Sequence, residues 1–287
     1  MRLDLLMPAR GDGYAAAAAE EARRYFPAFA VAGIDLVPMP WPEAPGTGAA
    51  ALALFAWGYH LQPERWAATL AGWPAERPLI NPPALLAWNM RKTYLTALAE
   101  RGVPIVPSWF GPATEENVAA AFARFGVDRL VVKPQVSAGS HETVRLRAGD
   151  PVPPIAEAIV QPYLPAIEAE GELSLLFIGG VFSHAVRKVP QKGDFRIQPQ
   201  FGGRFLPATP SDEARTVAAA ALAASPVPPL YARIDLVRLP NGALALMELE
   251  ATEPDLYPDF APDLPARLAR AVAAHLRQGR SSGTART

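Results

Sequence analysis

Asn241-Gly242 separates two apolar runs, 231–239 and 244–250, which is the pattern of a β-hairpin closed by a two-residue loop. Such a loop sets Pro240 opposite Ala243, and counting back along both strands sets Asp235 opposite Glu248 and Arg233 opposite Glu250. Strand side chains alternate with period two, so these four share one face. Two carboxylates in direct opposition repel, and a divalent cation between them turns the repulsion into ligation. Oxygen donors without histidine or cysteine suit Mg²⁺ or Mn²⁺ rather than zinc. The other reading of this face is a solvated, salt-bridged surface on which Arg233 neutralises the acids, and the hairpin alone does not choose. Leu236, Met247 and Leu249 make the opposite face apolar, which sets the acids apart from the core.

The same counting around Gly179-Gly180, between strands at 173–178 and 181–188, sets Glu172 opposite Arg187. It turns Lys188 to the other face without a partner in the pair, as a cation for a ligand or as a solvated strand-end lysine. Lys133 closes the apolar run 130–133, just before Pro134 and the small residues Ser137, Ala138, Gly139 and Ser140. A fixed ammonium beside unencumbered backbone N–H groups suits phosphate, although this is not the P-loop pattern. Between 190 and 204 lie Lys192, Asp194, Arg196 and Arg204, with Gly193, Pro199, Gly202 and Gly203. Long polar loops of this kind are functional or disordered, and an arginine in one can clamp a transferring phosphoryl group. His60, His141, His184 and His275 show no ligand spacing and read as ordinary surface or core residues.

The elements that must position these residues follow from the hydrophobic pattern. Strands at 3–6, 34–37, 52–56 and 79–81 alternate with helices at 15–26 and 63–70, which predicts a parallel sheet covered by helices. The loop 8–14 then follows the carboxyl end of the first strand, where open α/β sheets place ligands. A helix over 84–100 stops at Gly102 and Pro104. Helix 115–125 and strands 130–133, 142–146 and 159–161 follow, and Pro151, Pro153, Pro154, Pro162 and Pro165 bracket the last as a domain edge. From Glu172 the pattern is antiparallel, with helices at 212–224 and 265–276 and a small, polar tail over 279–287 that is expected to fray. The fold class is α/β (α+β). At 287 residues, two domains or one multilobed unit are expected.

Composition narrows the function. The 27 basic and 28 acidic residues leave a net charge of −1, so nonspecific nucleic-acid binding lacks its electrostatic source. The absence of cysteine excludes disulfides, thiolate metal sites and thiol catalysis. Asp4 interrupts the first apolar run and no later stretch approaches the roughly 18–20 residues of a membrane span. A cytoplasmic small-molecule enzyme is expected, with neither membrane nor nucleic acid as partner and a homodimer left open. Its 32 prolines are about twice the typical share of roughly 5%, and Pro134, Pro162, Pro190 and Pro254 stand beside the candidate segments, where a fixed φ stiffens the chain.

In this order the motifs resemble those of the ATP-grasp enzymes over nearly the whole chain. The similarity is to the glutathione synthetase and ribosomal-protein glutamate ligase branch, and within it to the cyclo-ligase type that closes O-ureidoserine to cycloserine. It is carried by Asn89-Met90-Arg91-Lys92, Val132-Lys133-Pro134 with residues 137–140, Ile159-Val160-Gln161-Pro162-Tyr163-Leu164, Ser183-His184-Ala185-Val186-Arg187-Lys188, Gly193-Asp194-Phe195-Arg196, and Asp235 with Met247-Glu248-Leu249-Glu250.

The resemblance implies three lobes: an amino-terminal α/β domain over 1–82, a linker helix and central lid over 83–164, and a carboxy-terminal subdomain over 165–278, ahead of a disordered tail at 279–287. It implies ATP and Mg²⁺ (or Mn²⁺) as cofactors. Lys92 and Lys133 would meet the α- and β-phosphates, and Ser137, Ala138, Gly139 and Ser140 would close over them. Gln161, Pro162, Tyr163 and Leu164 would form the adenine hinge, and Glu172, Glu168 or Glu170 would take the ribose. Lys188 and Arg196 would act at the transferring phosphoryl group, and Asp235, Glu248 and Glu250 would hold metal. Relatives of the glutathione synthetase type usually carry asparagine at the position of Glu250, which leaves that residue between metal ligation and neutralisation by Arg233. The implied activity is ATP-dependent carboxylate–amine ligation through an acyl-phosphate on a small amino-acid-like substrate, extending to an intramolecular cyclisation. A small-molecule kinase and a non-catalytic ATP-binding module are the alternatives. Thr252 to Asp259, with Glu253 and Tyr257, are the expected substrate contacts together with the amino-terminal loops.

Overall fold

A computed structural model describes residues 1–191, 196–197 and 202–283, with side chains through Gln278. The first segment gives β1 (Arg2–Met7), α1 (Ala15–Ala22), α2 (Phe26–Val31), β2 (Asp35–Pro40), β3 (Ala50–Leu52), α3 (Pro63–Ala71) and β4 (Leu79–Ile80). Its four strands form a parallel sheet in the order β2-β1-β3-β4, as the alternation predicts. Helices cover both faces, so the strands read as continuous apolar runs. Leu3 and Leu5 join the cluster around Phe29, and Leu6 joins the one around Trp41 and Trp66.

The expected helix over 84–100 is two helices, α4 (Pro83–Asn89) and α5 (Tyr94–Glu100). The break has a physical cause: the Lys92 N–H donates to the Gln135 carbonyl at 2.9 Å instead of continuing a helical ladder. Asn89 and Tyr94, on either side of the break, clamp the chain to β13 and the residue that follows it. Asn89 Nδ2 donates to the Leu249 carbonyl (2.8 Å), the Ala251 N–H donates to Asn89 Oδ1 (2.8 Å), and the Leu249 N–H donates to Tyr94 Oη (2.8 Å).

The middle segment contains β5 (Trp109–Gly111), α6 (Glu115–Phe125), β6 (Arg129–Pro134), β7 (Val144–Arg147) and β8 (Ala158–Pro162), in an antiparallel sheet of order β5-β8-β6-β7. Thr114 Oγ1 accepts from the Asn117 N–H at the start of α6, and Gly126 ends the helix at φ 64°. Strand β5, too short to show a period, has no counterpart in the sequence pattern. Pro134 and Pro162 are the last residues of β6 and β8.

The remainder folds as α7 (Ala166–Ala169), β9 (Glu172–Ile178), β10 (Val181–Val189), β11 (Arg204–Ala208), α8 (Asp212–Ala223), β12 (Tyr231–Arg238), β13 (Leu244–Glu250) and α9 (Leu264–Gly283). The sheet order is β11-β10-β9-β12-β13, and its pairs are antiparallel. Helix α9 runs past the expected stop into the segment read as a frayed tail, whose last residues, 284–287, lie outside the described residues.

Both hairpin registers contain a bulge. Between β9 and β10 the two-residue count holds for Val181 opposite Ile178 and Phe182 opposite Phe177, but Ser183 is an extra residue and the pairing then shifts by one. Lys188 therefore faces Glu172, and Arg187 faces Leu173, which corrects the expected opposition of Glu172 and Arg187. Between β12 and β13 the loop is three residues, 240–242: Leu239 pairs with Ala243, and Gly242 takes the left-handed φ of 87° that a three-residue hairpin uses. Met247 is then the extra residue, and beyond it Asp235 faces Glu248 and Arg233 faces Glu250 as expected. The loop and the bulge offset each other.

Candidate active site

Residues of the middle and carboxy-terminal sheets and of the segments after β1 and β3 line a cavity of about 420 Å³, a size usual for small-molecule and cofactor sites. Lys92, Lys133, Ser137, Ala138, Gly139, Ser140, Gln161, Pro162, Leu164, Glu172, Lys188, Arg196, Asp235, Glu248 and Glu250 all line it. Tyr163 does not. Its hydroxyl donates to Glu168, and its ring lies under the guanidinium groups of Arg129 (4.4 Å) and Arg145 (5.3 Å). Of the three acids considered for ribose, Glu172 lines the cavity, whereas Glu168 bonds Tyr163 and Arg145, and Glu170 accepts from Arg238 Nε at 2.9 Å.

The acids of β12 and β13 converge. Asp235, Glu248 and Glu250 each offer an oxygen within 4.8 Å of the others, and all three donors are carboxylates. The donor set fits a hard divalent cation. The same acids are cross-paired with cations, which answers the choice left open by the hairpin: metal-ligand geometry and neutralisation coexist. Arg233 donates through Nε and Nη2 to both oxygens of Asp235 (3.0, 3.1 and 2.9 Å) and also bonds Glu250. Ser174 Oγ donates to Asp235 Oδ1 at 2.5 Å. Burial pushes the Asp235 carboxyl up, but Arg233 and Lys188 outweigh it and hold the group well below the carboxylate range. Burial pushes Glu250 up to about 7 despite Arg233.

Lys188, 3% exposed, is not the free cation its expected register implied: it pairs with Glu172 and lies 3.1 Å from Asp235 Oδ2. The extra Ser183 puts it on the acid face. Burial alone would lower its pKa, and Asp235 and Glu172 reverse the effect, so it stays charged. Lys92 Nζ sits 2.8 Å from the Ser137 carbonyl and 2.9 Å from Glu248 Oε1, joining the middle-sheet loop to β13. Lys133, ending the same strand as Pro134, has its ammonium pulled down by burial. The backbone of the adjoining loop is left-handed at Gly139 (φ 59°), Ser140 (63°) and Glu142 (50°). Arg196 is described and lines the cavity, whereas Lys192, Gly193, Asp194, Phe195 and Pro199 lie outside the described residues.

The wall also includes Glu253 and Tyr257, as expected, Tyr14 and Asp255 from the two segments expected to meet substrate, Trp57, which the sequence pattern did not single out, and His60, which it had read as an ordinary surface or core residue. Burial pushes Glu253 up to about 8. Tyr257 is held at a left-handed φ of 49°, its N–H donating to Asp255 Oδ1 (2.8 Å) and its ring against Phe205 (5.0 Å). Reading the loop after the third strand by the rule applied to the loop after the first would have found Trp57 and His60.

No family model matches the chain. Solved structures share its fold: an ATP-grasp protein with a RimK domain from Sphaerobacter thermophilus (TM-score 0.67, 15% identity, 94% of this chain and 99% of that one) and the D-alanine–D-alanine ligase of Bacillus anthracis (0.68, 14%, 98% and 99%). In sequence, the cycloserine biosynthesis protein DcsG of Streptomyces lavendulae is 33% identical over 223 residues, 69% of this chain and 74% of that protein. The chain belongs to the ATP-grasp ligases. The crystal structure of D-cycloserine synthetase DcsG matches it with a TM-score of 0.82 and 26% identity over 96% of this chain and 100% of that one. As an ATP-grasp ligase it is an ATP-dependent enzyme forming C–N bonds, and its cavity is the candidate site of that chemistry. Among the described residues no helix is long and apolar enough to cross a membrane.

Proposed function

We propose that this ATP-grasp ligase consumes ATP to activate a carboxylate as an acyl-phosphate, which a nitrogen of the same small amino-acid-like molecule then attacks, closing a ring. The observation that carries the reading is the convergence, in one cavity, of three carboxylates with Lys92, Lys133, Lys188 and Arg196 and a small-residue loop. In this reading Lys92, Lys133 and the N–H groups of 137–140 bind the α- and β-phosphates. Gln161, Pro162 and Leu164 border the base and Glu172 the ribose. Tyr163 holds the hinge from behind through Glu168. Lys188 and Arg196 hold the charge on the transferring group. Asp235, Glu248 and Glu250 are the groups that would hold Mg²⁺, which neutralises phosphate charge when bound. The lobe limits proposed are 1–82, 83–164 and 165–278, in a cytoplasmic enzyme.

The relative's name, D-cycloserine synthetase, favours a cyclo-ligase, and an O-ureido amino acid is the first substrate to test. The experiment offers purified enzyme O-ureidoserine, free amino acids and dipeptides with ATP and Mg²⁺. Substrate-dependent ADP and inorganic phosphate are expected, with a ring-closed product lighter by one water for an amino acid or dipeptide, and, for O-ureidoserine, a ring whose carbamoyl group is then hydrolysed off as ammonia and carbon dioxide. AMP formation, or a stable phosphorylated product without free phosphate, refutes the reading, the latter in favour of a kinase.

A further inference from the structure

The loop that follows Lys133 carries a residue with no part in the reading above. His141 is flanked by Ser140 and Glu142, both non-glycine residues at positive φ (63° and 50°). Such a conformation persists only where its surroundings enforce it, and it concentrates at functional segments. It turns the His141 ring onto His60 of the amino-terminal lobe, with centroids 5.6 Å apart at 60°. His60 is itself 94% buried by an exposure of 6%, with Nε2 3.5 Å from Tyr14 Oη and with Nδ1 lacking a hydrogen-bond partner among the described residues.

Behind His60 an unbroken series of rings leads into the amino-terminal core: Tyr59 (6.2 Å from His60), Trp66 (5.7 Å from Tyr59) and Trp41 (5.5 Å from Trp66). Trp66 and Trp41 are at most 1% exposed. His60 is thus a rigid anvil, and His141 is the part of the loop that strikes it. Edge-to-face ring pairs at these separations are attractive beyond the area they cover.

We propose that His141 is a positioning residue: docked on His60, it holds residues 137–140 of the lid in the shape that receives the nucleotide's phosphates. The inference rests on the ligase reading for the identity of that ligand. A charge on His60 would oppose the contact, since this buried seat offers it the nearby Lys92 cation. The groups facing His60 are Tyr14 and Asp12 from the loop after β1, Tyr59 from its own segment, Lys92 from the α4–α5 break, and His141. Burial, His141 and Lys92 together outweigh Asp12 and lower His60 to about 4. Undocking removes the His141 contribution and part of the burial, so it raises the His60 pKa from its docked position and favours proton uptake. Docking therefore weakens as pH falls toward the His60 pKa.

The test compares wild type with His141→Ala, His141→Phe and His60→Phe. At pH 7.5 the alanine variant is expected to raise KM for ATP about two- to tenfold, the weight of one ring contact, with kcat within twofold and an unchanged melting temperature. His141→Phe keeps the ring and should stay near wild type there. As pH is lowered from 7.5, the KM for ATP should climb more steeply in wild type than in His60→Phe. An unchanged KM in His141→Ala, or His141→Phe as impaired as alanine, overturns the proposal. A second arm needs no nucleotide: amide exchange across 138–142 should be faster in His141→Ala than in wild type. If wild type neither binds nor turns over ATP, the ligase reading fails, and this arm alone decides the contact, equal exchange rates refuting it.

Discussion

Replacing Lys188 by methionine separates what this residue does for the fold from what it does for the reaction. Its ammonium is 3% exposed and bonded to Glu172 (7% exposed) and Asp235 (1% exposed). Asp235 retains Arg233 in the variant, so Glu172 is the carboxylate left without its cation. Removing one partner of a buried ion pair costs about 3–5 kcal/mol. At about 2–4 °C per kcal/mol for a chain of this order of size, the melting temperature should fall by roughly 6–20 °C. The loss depends on pH with a definite sign. Burial already raises the pKa of Glu172 against the pull of Lys188, and without that pull it rises further. A folded-state pKa above the unfolded value means stability is lost as pH climbs through it, so the deficit should be small near pH 5 and largest at pH 8. Lys188→Met/Glu172→Gln removes the stranded charge and should recover most of the melting temperature at pH 8 while phosphate release stays abolished. Thermal unfolding followed by circular dichroism at both pH values, with phosphate release on the same samples, makes the measurement. A single variant that melts within 2 °C of wild type at pH 8, or a double variant no better than the single, refutes the reasoning.

Asp235→Asn and Glu248→Gln should each raise the Mg²⁺ concentration for half-maximal phosphate release by at least about tenfold, and an unshifted titration in both would remove these acids from the metal site. Gly171→Ala combines a φ of +80° with a Cβ that would run into the Lys188 carbonyl oxygen, so about 1–3 kcal/mol of stability and most of kcat should go together; denaturant unfolding and turnover check it. Asp4, fully buried, accepts from Arg77 at 2.6 Å and from the Gly48 N–H at 2.9 Å. Burial opposes its ionisation, but Gly48, Arg2 and Arg77 prevail and lower its pKa. Its contribution is therefore present above the unfolded value of 3.8 and lost as pH falls below it. Asp4→Asn should cost on the order of 3 kcal/mol at pH 7 and flatten the acid limb of the stability profile, which urea unfolding from pH 2 to 7 measures.

Most strands and helices were legible because apolar period and turn residues are local signals, the short edge strands β5 and β11 being missed, and Asn241-Gly242 found the facing acids. That success had a hidden component. The loop is one residue longer than the dipeptide implies, and the bulge at Met247 restores the count before it reaches Asp235. The β9–β10 hairpin lacks such an offset, so the bulge at Ser183 moved Lys188 onto the acid face and away from the role of free cation. A bulge is fixed by twist and by packing across the sheet, and neither leaves a mark in the order of residues. The broken helix at Lys92 escaped for a similar reason, since its cause is a carbonyl 43 positions away, that of Gln135. His60 and Trp57 were missed because they belong to no motif. They reach the cavity through the topology of a parallel sheet.

The β12–β13 hairpin has a use in engineering. Its two ends keep different registers, and the one that matters for Asp235 is pinned by the β9 partner Ser174 and by Met247, on the far side of the bulge from the turn. Residues 240–243 are exposed at the tip. Changes of length there, such as an epitope, a fluorophore tag or a split point, are decoupled from the carboxylates and should be absorbed without moving them.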